Sequence, residues 1–584
     1  MTGFDILRSR FDRAEARILA GSAEPRLANW PVVYTLNGDS SVYVGETVNA
    51  VARMQQHLAN PNRASLSEMR IVVDPTFNKS VCLDLESFLI RLLSGDGKFA
   101  VENLNAGITD ADYYDRERYR ERFAEIFEAL KADGLFAKSI PDIENSDLFK
   151  YSPFKSLTPE QAAAMEEILD GLLADLESGA ETTSVVQGGP GTGKTIVAIY
   201  LVKLLRDIGR MTAAPEELPD SPFSDYFLAG NRELAAGLRI GVVVPQQSLR
   251  DTISRVFAKT PGLGDVDLLT PFQVGKATER YDLLVVDEAH RLSQRANMSS
   301  GVLNRDFREI NLRLFGEDRP ELTQLDWIVR QSRQRILMLD ADQTVRPADL
   351  PGHLVRETLS AAARESRVYR LMSQMRVSAG ADYISYVRDL LSFRAADPHP
   401  GPARFRPYRL LWFEDLGAMH DAIRRLDEQV GLSRLVAGYA WPWVSRTDRS
   451  AADIELDGRR LQWNRTATDW INSRTAVDEV GSIHTVQGYD LNYAGVIIGP
   501  ELGYDSSAGR LVFNRASYFD AKGQENNAKR GITYSDDDLL AYVGNIYGVL
   551  LTRGILGTFV YVVDPALREH LRPFFAGGGA TAAA

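Results

Sequence analysis

Apolar positions along the 584-residue chain fall into three successive patterns. Between about residues 30 and 105, short β-rich runs (PVVYTL, SVYVGE, MRIVVD) alternate with runs of helical period (VNAVARMQQHL, CLDLESFLIRLL). That alternation predicts a small α/β unit. Tyr119, Phe123, Ile126 and Leu130 then recur at helical spacing through a highly charged stretch that Gly134 ends. Such a stretch predicts a connector helix with one solvated face. YSPFKSLTPEQAAAM opens a new unit, with proline punctuation and Thr158 as a helix cap. From Ser184 onward the apolar runs are uninterrupted and precede loops or helices: TSVVQGG, RIGVVVP, DLLVVDEA, RILMLDA. Continuous runs of this kind belong to strands buried on both faces of a parallel, doubly wound sheet. A second set (RLVAGYA, GSIHTVQG, GVIIGP, TFVYVVD) predicts another such sheet from about residue 365. The fold class expected is therefore α/β throughout.

Composition changes this picture little. No segment approaches 18 uncharged apolar residues, so no membrane span is expected, and the charged N-terminus lacks the apolar region of a signal peptide. The single cysteine, Cys82, sits in an apolar run and is expected to be a buried small hydrophobe. With no intrachain disulfide available, a cytoplasmic protein is the expectation. A net charge of −12 argues against a protein that coats nucleic acid. It leaves room for one that threads a strand through a locally basic groove.

The first specific chemistry lies in GGPGTGKT, which matches G-x-x-x-x-G-K-[ST] between the apolar run SVVQ and the helical run IVAIYLVKLL. Gly188, Gly191 and Gly193 would let backbone N–H groups face phosphates, Lys194 would reach the β/γ oxygens, and Thr195 would hold Mg²⁺. In LLVVDEAHRL, Asp287 would take the same ion directly or through water, and Glu288 would polarise the attacking water. ATP and Mg²⁺ are the cofactors these residues call for.

Further motifs in the same order make residues 150 to 565 resemble superfamily 1 helicases. The closer likeness is to the Schlafen-group DNA/RNA helicase domain, also known as domain of unknown function 2075. The resemblance implies two RecA-like lobes. It implies that Gln161 in LTPEQ reads the adenine edge and that VVVPQQSL holds the nucleic-acid backbone. Gln343 in LMLDADQTVRP would couple the γ-phosphate to the strand side. Arg376 in LMSQMR and Arg553 in NIYGVLLTRG would be arginine fingers, and Gln487 and Gly488 in IHTVQG would touch both nucleotide and strand. Physically the set is coherent, because arginines on a second lobe stabilise γ-phosphate charge only when the lobes close. One departure is Gly554 in LLTRGILGT, where superfamily 1 has a small residue followed by a basic one. Trp441, Trp443 and Trp463 lie near basic residues, and core packing is the expected role for most of them.

The opening unit carries VVY, YVG, then Arg53 and His57 one turn apart on a helical run, then Glu86 in DLESFLIRLL and Asn103 in VENLNAG. Over residues 30 to 108 this order resembles the GIY-YIG nuclease domain. The resemblance implies metal-dependent phosphodiester cleavage, with Glu86 binding one divalent ion (Mg²⁺, with Mn²⁺ an alternative) and Arg53 donating to phosphate oxygens. Tyr34, assisted by His57 or Tyr43, would orient the water or take its proton, and Asn103, or else Asn105, would close the site. Glu46 after YVG stands where the family has Lys, Gln or Ser, and adds negative charge near a phosphate site.

The organisation expected is a helical extension over 1–28, a GIY-YIG domain over 29–110 and a helical connector over 111–150. Two RecA-like lobes follow, over 151–358 and 359–572, with a mobile tail over 573–584. The function expected is an ATP-dependent nuclease-translocase acting on nucleic acid, DNA before RNA, in restriction, antiviral defence or repair. A homo-oligomer or a partner protein of a defence system is left open. The rival is an ATPase switch whose N-terminal unit recognises nucleic acid without cutting it.

Overall fold

The computed structural model describes residues 3–22, 24–103, 112–155, 157–211, 223–296, 298, 300–340, 343–374, 377–378, 380–391, 404–466, 469–486 and 489–575. The chain divides into two compact units, Met1–Glu177 with Thr195–Leu238 and Thr252–Val266, and Ser178–Lys194 with Arg239–Asp251 and Asp267–Ala584.

The first unit holds a five-stranded sheet made of β1 (Asp5–Arg10), β2 (Val32–Asn37), β3 (Ser41–Thr47), β4 (Glu68–Val73) and β5 (Ala100–Val101), ordered β1-β4-β2-β3-β5. Its pairings are antiparallel except for β3 with β5. Alternation along β2 sends Val33 into a core shared with the helix Lys79–Asp96, and Val32, Tyr34 and Leu36 into another shared with the helix Ala50–Ala59. Arg53 and His57 lie on that second helix, so the period-2 pattern of β2 is what delivers Tyr34 to them. The helix Arg116–Ala132 buries Phe123, Ile126, Phe127 and Leu130, as its spacing predicts.

Two expectations need correction. The first 28 residues are not wholly helical: DILRSR is an edge strand whose residues are exposed or half-buried, and its charges hide the strand pattern. Residues 111–150 are more than a connector, because Phe123, Leu130, Phe136 and Ile143 share one hydrophobic core with Val33, Val72 and Leu89.

The second unit holds two large sheets. One comprises β6 (Thr182–Gly188), β7 (Ile240–Val243), β8 (Asp267–Leu269), β9 (Tyr281–Val286), β10 (Ser332–Leu339) and β11 (Val368–Leu371), ordered β11-β6-β10-β9-β7-β8 and wholly parallel. β11 lies past residue 358, so this sheet reaches further along the chain than expected. The other comprises β12 (Arg409–Trp412), β13 (Ser433–Ala437), β14 (Ile454–Leu456), β15 (Arg459–Trp463), β16 (Glu479–Ser482) and β17 (Leu491–Ile498). A separate hairpin of β18 (Leu502–Asp505) and β19 (Arg510–Phe513) precedes its last strand, β20 (Gly554–Val562). The order is β12-β20-β17-β13-β16-β15-β14, parallel except for β14 with β15.

Trp463 and Cys82 are fully buried, as expected, whereas Trp441 and Trp443 are half-buried. No helix among the described residues is long and apolar enough to cross a membrane. The tail beyond residue 575 lies outside the described residues.

Candidate functional site

In the first unit, the antiparallel register sets Tyr34 opposite Gly45. A Cβ at Gly45 would lie 2.3 Å from Tyr34 Oη, which is why YVG ends in glycine. Tyr34 Oη is 2.8 Å from His57 Nε2 and accepts from Arg53 Nε at 3.2 Å. Tyr43 completes the group, its ring 5.1 Å from that of His57 and 6.2 Å from that of Tyr34. Burial, then the neighbouring Tyr43, push the Tyr34 phenol well above its usual range. Burial, then the charges of Arg53 and Arg63, lower His57 to about 3. The imidazole is therefore neutral near pH 7, and it shares one hydrogen bond with the Tyr34 hydroxyl.

Glu86 lies on the helix Lys79–Asp96, close enough for its charge to raise Tyr34. No cluster of three or more metal-ligating side chains occurs among the described residues. A single carboxylate such as Glu86 would suit only an ion that keeps most of its waters. Asn103 is engaged with strand β3, its Nδ2 donating to Val44 O at 2.8 Å and its Oδ1 accepting from Val44 N at 3.1 Å. Asn105 lies outside the described residues.

Two charged neighbours escaped sequence reasoning. Arg63 stacks 3.9 Å from the Tyr43 ring centroid and pairs with Glu102 at 2.6 Å. Lys79 pairs with Glu46, so the Glu46 charge is offset locally. Arg63 sits in a short turn after Pro61, where no periodicity marks it.

In the second unit, Gly191 and Gly193 adopt left-handed φ of 77° and 81°. Glycine takes that conformation without strain. Lys194 Nζ donates to Gly188 O at 2.7 Å and Gly189 O at 2.9 Å, and stands 3.7 Å from Asp340. Thr195 begins a stretch of the first unit, and Gln161 is buried there, its Oε1 accepting from Thr158 N at 3.1 Å and its N–H donating to Thr158 Oγ1 at 3.2 Å.

Asp287 and Glu288 follow β9, both shielded from solvent, with Glu288 in the left-handed region at φ 48°. His290 Nδ1 accepts from Asp340 N at 3.4 Å, and its Nε2 stands 3.1 Å from Glu288 Oε2. Burial alone would raise the Glu288 carboxyl. The neighbouring His290 ring, then the charges of Lys194 and Arg553, outweigh it and hold Glu288 well below the usual carboxylate range. Arg553, just before β20, donates from Nη1 to Tyr489 O at 3.1 Å. A Cβ at Gly554 would lie 2.1 Å from Gly557 O, so the residue after Arg553 is a steric requirement of this bulged strand start. Gln343 is buried in the loop after β10. Arg376, Gln487 and Gly488 lie outside the described residues. Asp340 and His290 were missed, although Asp340 carries the same signal as Asp287, an acid at the end of an apolar strand.

Near this cluster lies a cavity of about 710 Å³ within the same unit. Gln246, Gln247 and Ser248 of VVVPQQSL line it, together with Arg291, Arg346 and His484.

Residues 181–564 match the family described as Schlafen group 3, DNA/RNA helicase domain. The uncharacterized protein YPL245W of Saccharomyces cerevisiae is 26% identical over 436 residues, which cover 71% of this chain and 90% of the yeast protein. Among solved structures, the arterivirus nonstructural protein 10 helicase in complex with DNA is similar at 12% identity and a TM-score of 0.28, covering 68% of this chain and 64% of that one. Pif1 helicase from Bacteroides with ADP-AlF3 and single-stranded DNA is similar at 13% identity and a TM-score of 0.25, covering 71% of this chain and 93% of that one. At such TM-scores the three-dimensional likeness carries no further weight.

Proposed function

Because the chain belongs to the Schlafen group 3 DNA/RNA helicase domain family, we propose that residues 151–572 power movement along nucleic acid by hydrolysing ATP. We propose in addition that residues 29–110, within its first unit, form a GIY-YIG nuclease domain. The observation that carries the motor reading is the convergence on Glu288 of Lys194, His290 and Arg553, drawn from both large sheets of the second unit. A carboxylate held ionised in a buried site can accept a proton from, or orient, an attacking water, and the surrounding cations suit a γ-phosphate. Lys194 and Thr195 would hold the phosphates and Mg²⁺, with Asp287 as the second anchor of that ion. Gln161 would read the base, and Gln343, Arg376, Gln487, Gly488 and Arg553 would link phosphate to strand.

For cleavage, a divalent ion on Glu86 would neutralise the scissile phosphate. Arg53 would donate to its free oxygens. The hydrogen bond between Tyr34 and a neutral His57 would give a phenolic proton somewhere to go, with Tyr43 packed beside both. Restriction, antiviral defence or repair of DNA is the role such a fusion would serve.

A second reading draws on one observation. Burial keeps the Tyr34 phenol protonated, which favours a first unit that recognises nucleic acid without cutting it.

One experiment decides between them: plasmid cleavage in Mg²⁺ or Mn²⁺, and strand-stimulated ATP turnover, for the wild type, Lys194→Ala and Glu86→Ala. Lys194→Ala should lower ATP turnover at least a hundredfold, and Glu86→Ala should abolish cleavage while leaving turnover within about twofold. Normal cutting by Glu86→Ala would remove the nuclease assignment, and full turnover by Lys194→Ala would remove the motor. Strand-stimulated turnover with no cutting by the wild type would leave the recognition reading.

A further inference from the structure

The segment 514–535, between β19 and the helix Asp536–Leu551, is rich in polar residues and contains none of the motifs read from the sequence. It is fastened to the loops that follow β9 and β10. Asn527 Nδ2 donates to Arg295 O at 3.1 Å, Tyr534 Oη donates to Pro347 O at 3.2 Å, and Arg530 donates to Gln294. Lys522, Glu525, Asn526 and Asn527 make it a wall of the 710 Å³ cavity.

Across that cavity runs a chain of hydrogen bonds from three distant parts of the sequence. Arg346 Nη2 is 2.8 Å from His484 Nδ1, and His484 Nε2 is 2.8 Å from Asp520 Oδ2. A guanidinium can only donate, so His484 Nδ1 is the acceptor and the ring proton lies on Nε2, directed at the Asp520 carboxylate. Asp520 is itself fixed by Lys522 N, 3.0 Å from its Oδ1. The order Asp520, His484, Arg346 therefore sets where the Arg346 guanidinium can be.

Arg250, Arg291, Arg346 and Lys522 line the cavity against two carboxylates, Asp349 and Glu525. Both carboxylates are engaged. Asp349 Oδ2 accepts from Val345 N at 3.2 Å and Arg346 N at 3.1 Å, and Glu525 pairs with Lys522 at 2.5 Å. Arg291 is only 8% exposed, its Nε stands 3.7 Å from Asp349, and its Nη1 has no hydrogen-bond acceptor among the described residues. The charges of Asp349, Glu288 and Asp520 partly offset its burial, and Nη1 is left to take a further acceptor such as a phosphate oxygen.

Resting on the motor reading, we propose that Arg346 and Arg291 take a phosphodiester of a bound single strand in this cavity. Asp520 is the positioning residue that aims Arg346 through His484. Losing that aim removes one phosphate contact without touching the ATP site.

The test uses the full chain and a fluorescein-labelled oligothymidylate, with affinity measured across a range of KCl concentrations. Asp520→Ala should bind about tenfold more weakly at fixed salt, the scale of one hydrogen bond to a charged group. The slope of log affinity against log salt should become shallower by about 0.7, the value for one lost contact to a single strand. Strand-independent ATP turnover should stay within about twofold, and Asp520→Glu should recover most of the affinity. A purely structural role for Asp520 would weaken binding without this change of slope. Asp520→Ala with wild-type affinity and slope would overturn the proposal. If that variant does not fold, Arg346→Gln must show the same loss of slope, and a wild-type slope there would overturn it equally. A wild type that binds no strand at any salt would instead remove the motor reading on which this one rests.

Discussion

The tyrosine cluster of the first unit and the Glu288 cluster of the second are both buried, yet they hold their reactive groups in opposite states. Around Tyr34 and His57, burial is the largest influence on each group, and it leaves a protonated phenol beside a neutral imidazole. Around Glu288 burial is again the largest influence, but His290, Lys194 and Arg553 reverse it and keep the carboxylate charged. Desolvation without enough countercharge neutralises a group, and desolvation with countercharge ionises it. The first cluster therefore holds its groups neutral. The second is charged before anything binds.

The largest test of this contrast is the pH dependence of folding at His57. Its folded value of about 3 lies below the usual 6.5, so between those limits the unfolded chain binds a proton that the folded chain refuses. Stability is then lost as the pH falls through that window. Between pH 7 and pH 4 the wild type should lose about 3 kcal/mol that His57→Gln does not lose. Denaturant titrations of both proteins at the two pH values measure this directly. Equal losses in both would mean that His57 is not held neutral in the fold.

A third group, Glu501, sharpens the rule inside the second unit. Unlike Glu288, whose side chain is 14% exposed, it is fully buried; Tyr547 is its hydrogen-bond donor, and among the described residues its Oε2 has no partner and no cation faces it. Burial raises it to about 7. Between the usual 4.5 and that value the folded chain keeps a proton that the unfolded chain has shed, so stability falls as the pH rises through the window. From pH 5 to pH 8 the wild type should lose about 2 kcal/mol relative to Glu501→Gln. Parallel denaturation curves that keep a constant separation from pH 5 to pH 8 would show that Glu501 ionises inside the fold.

Much of this arrangement was legible in the sequence because it is local. The strands that end at Gly188, Val286 and Leu339 are continuous apolar runs, and the phosphate loop is one contiguous octet. Tyr34, Arg53 and His57 come together because strand and helix periods are read within single elements. What was not legible depends on pairings across long stretches of chain. His290 meets the amide of Asp340, Arg346 meets His484, and Asp520 meets His484 from a segment with no apolar period. The edge strand DILRSR was hidden for a related reason: an edge buries so little that its residues carry no alternation.

The smallest expected effect concerns Glu46, the residue that departs from the GIY-YIG pattern. Its carboxylate pairs with Lys79, whose side chain is 53% exposed. A pair open to water on its Lys79 side, with Glu46 13% exposed, contributes little to folding, so Glu46→Gln should change stability by less than about 1 kcal/mol. Its effect on cleavage has a different origin. Lys79 would be released from its partner, and a negative charge beside the proposed phosphate site would be gone. Both changes favour an incoming phosphate, so cleavage by Glu46→Gln should rise by about two- to threefold at low salt and approach the wild-type rate at high salt. Rates of plasmid nicking across a range of KCl concentrations measure it. A gain that persists unchanged at high salt would mean that Glu46 acts on the cluster through geometry, and the contrast drawn here between neutral and charged sites would not extend to its rim.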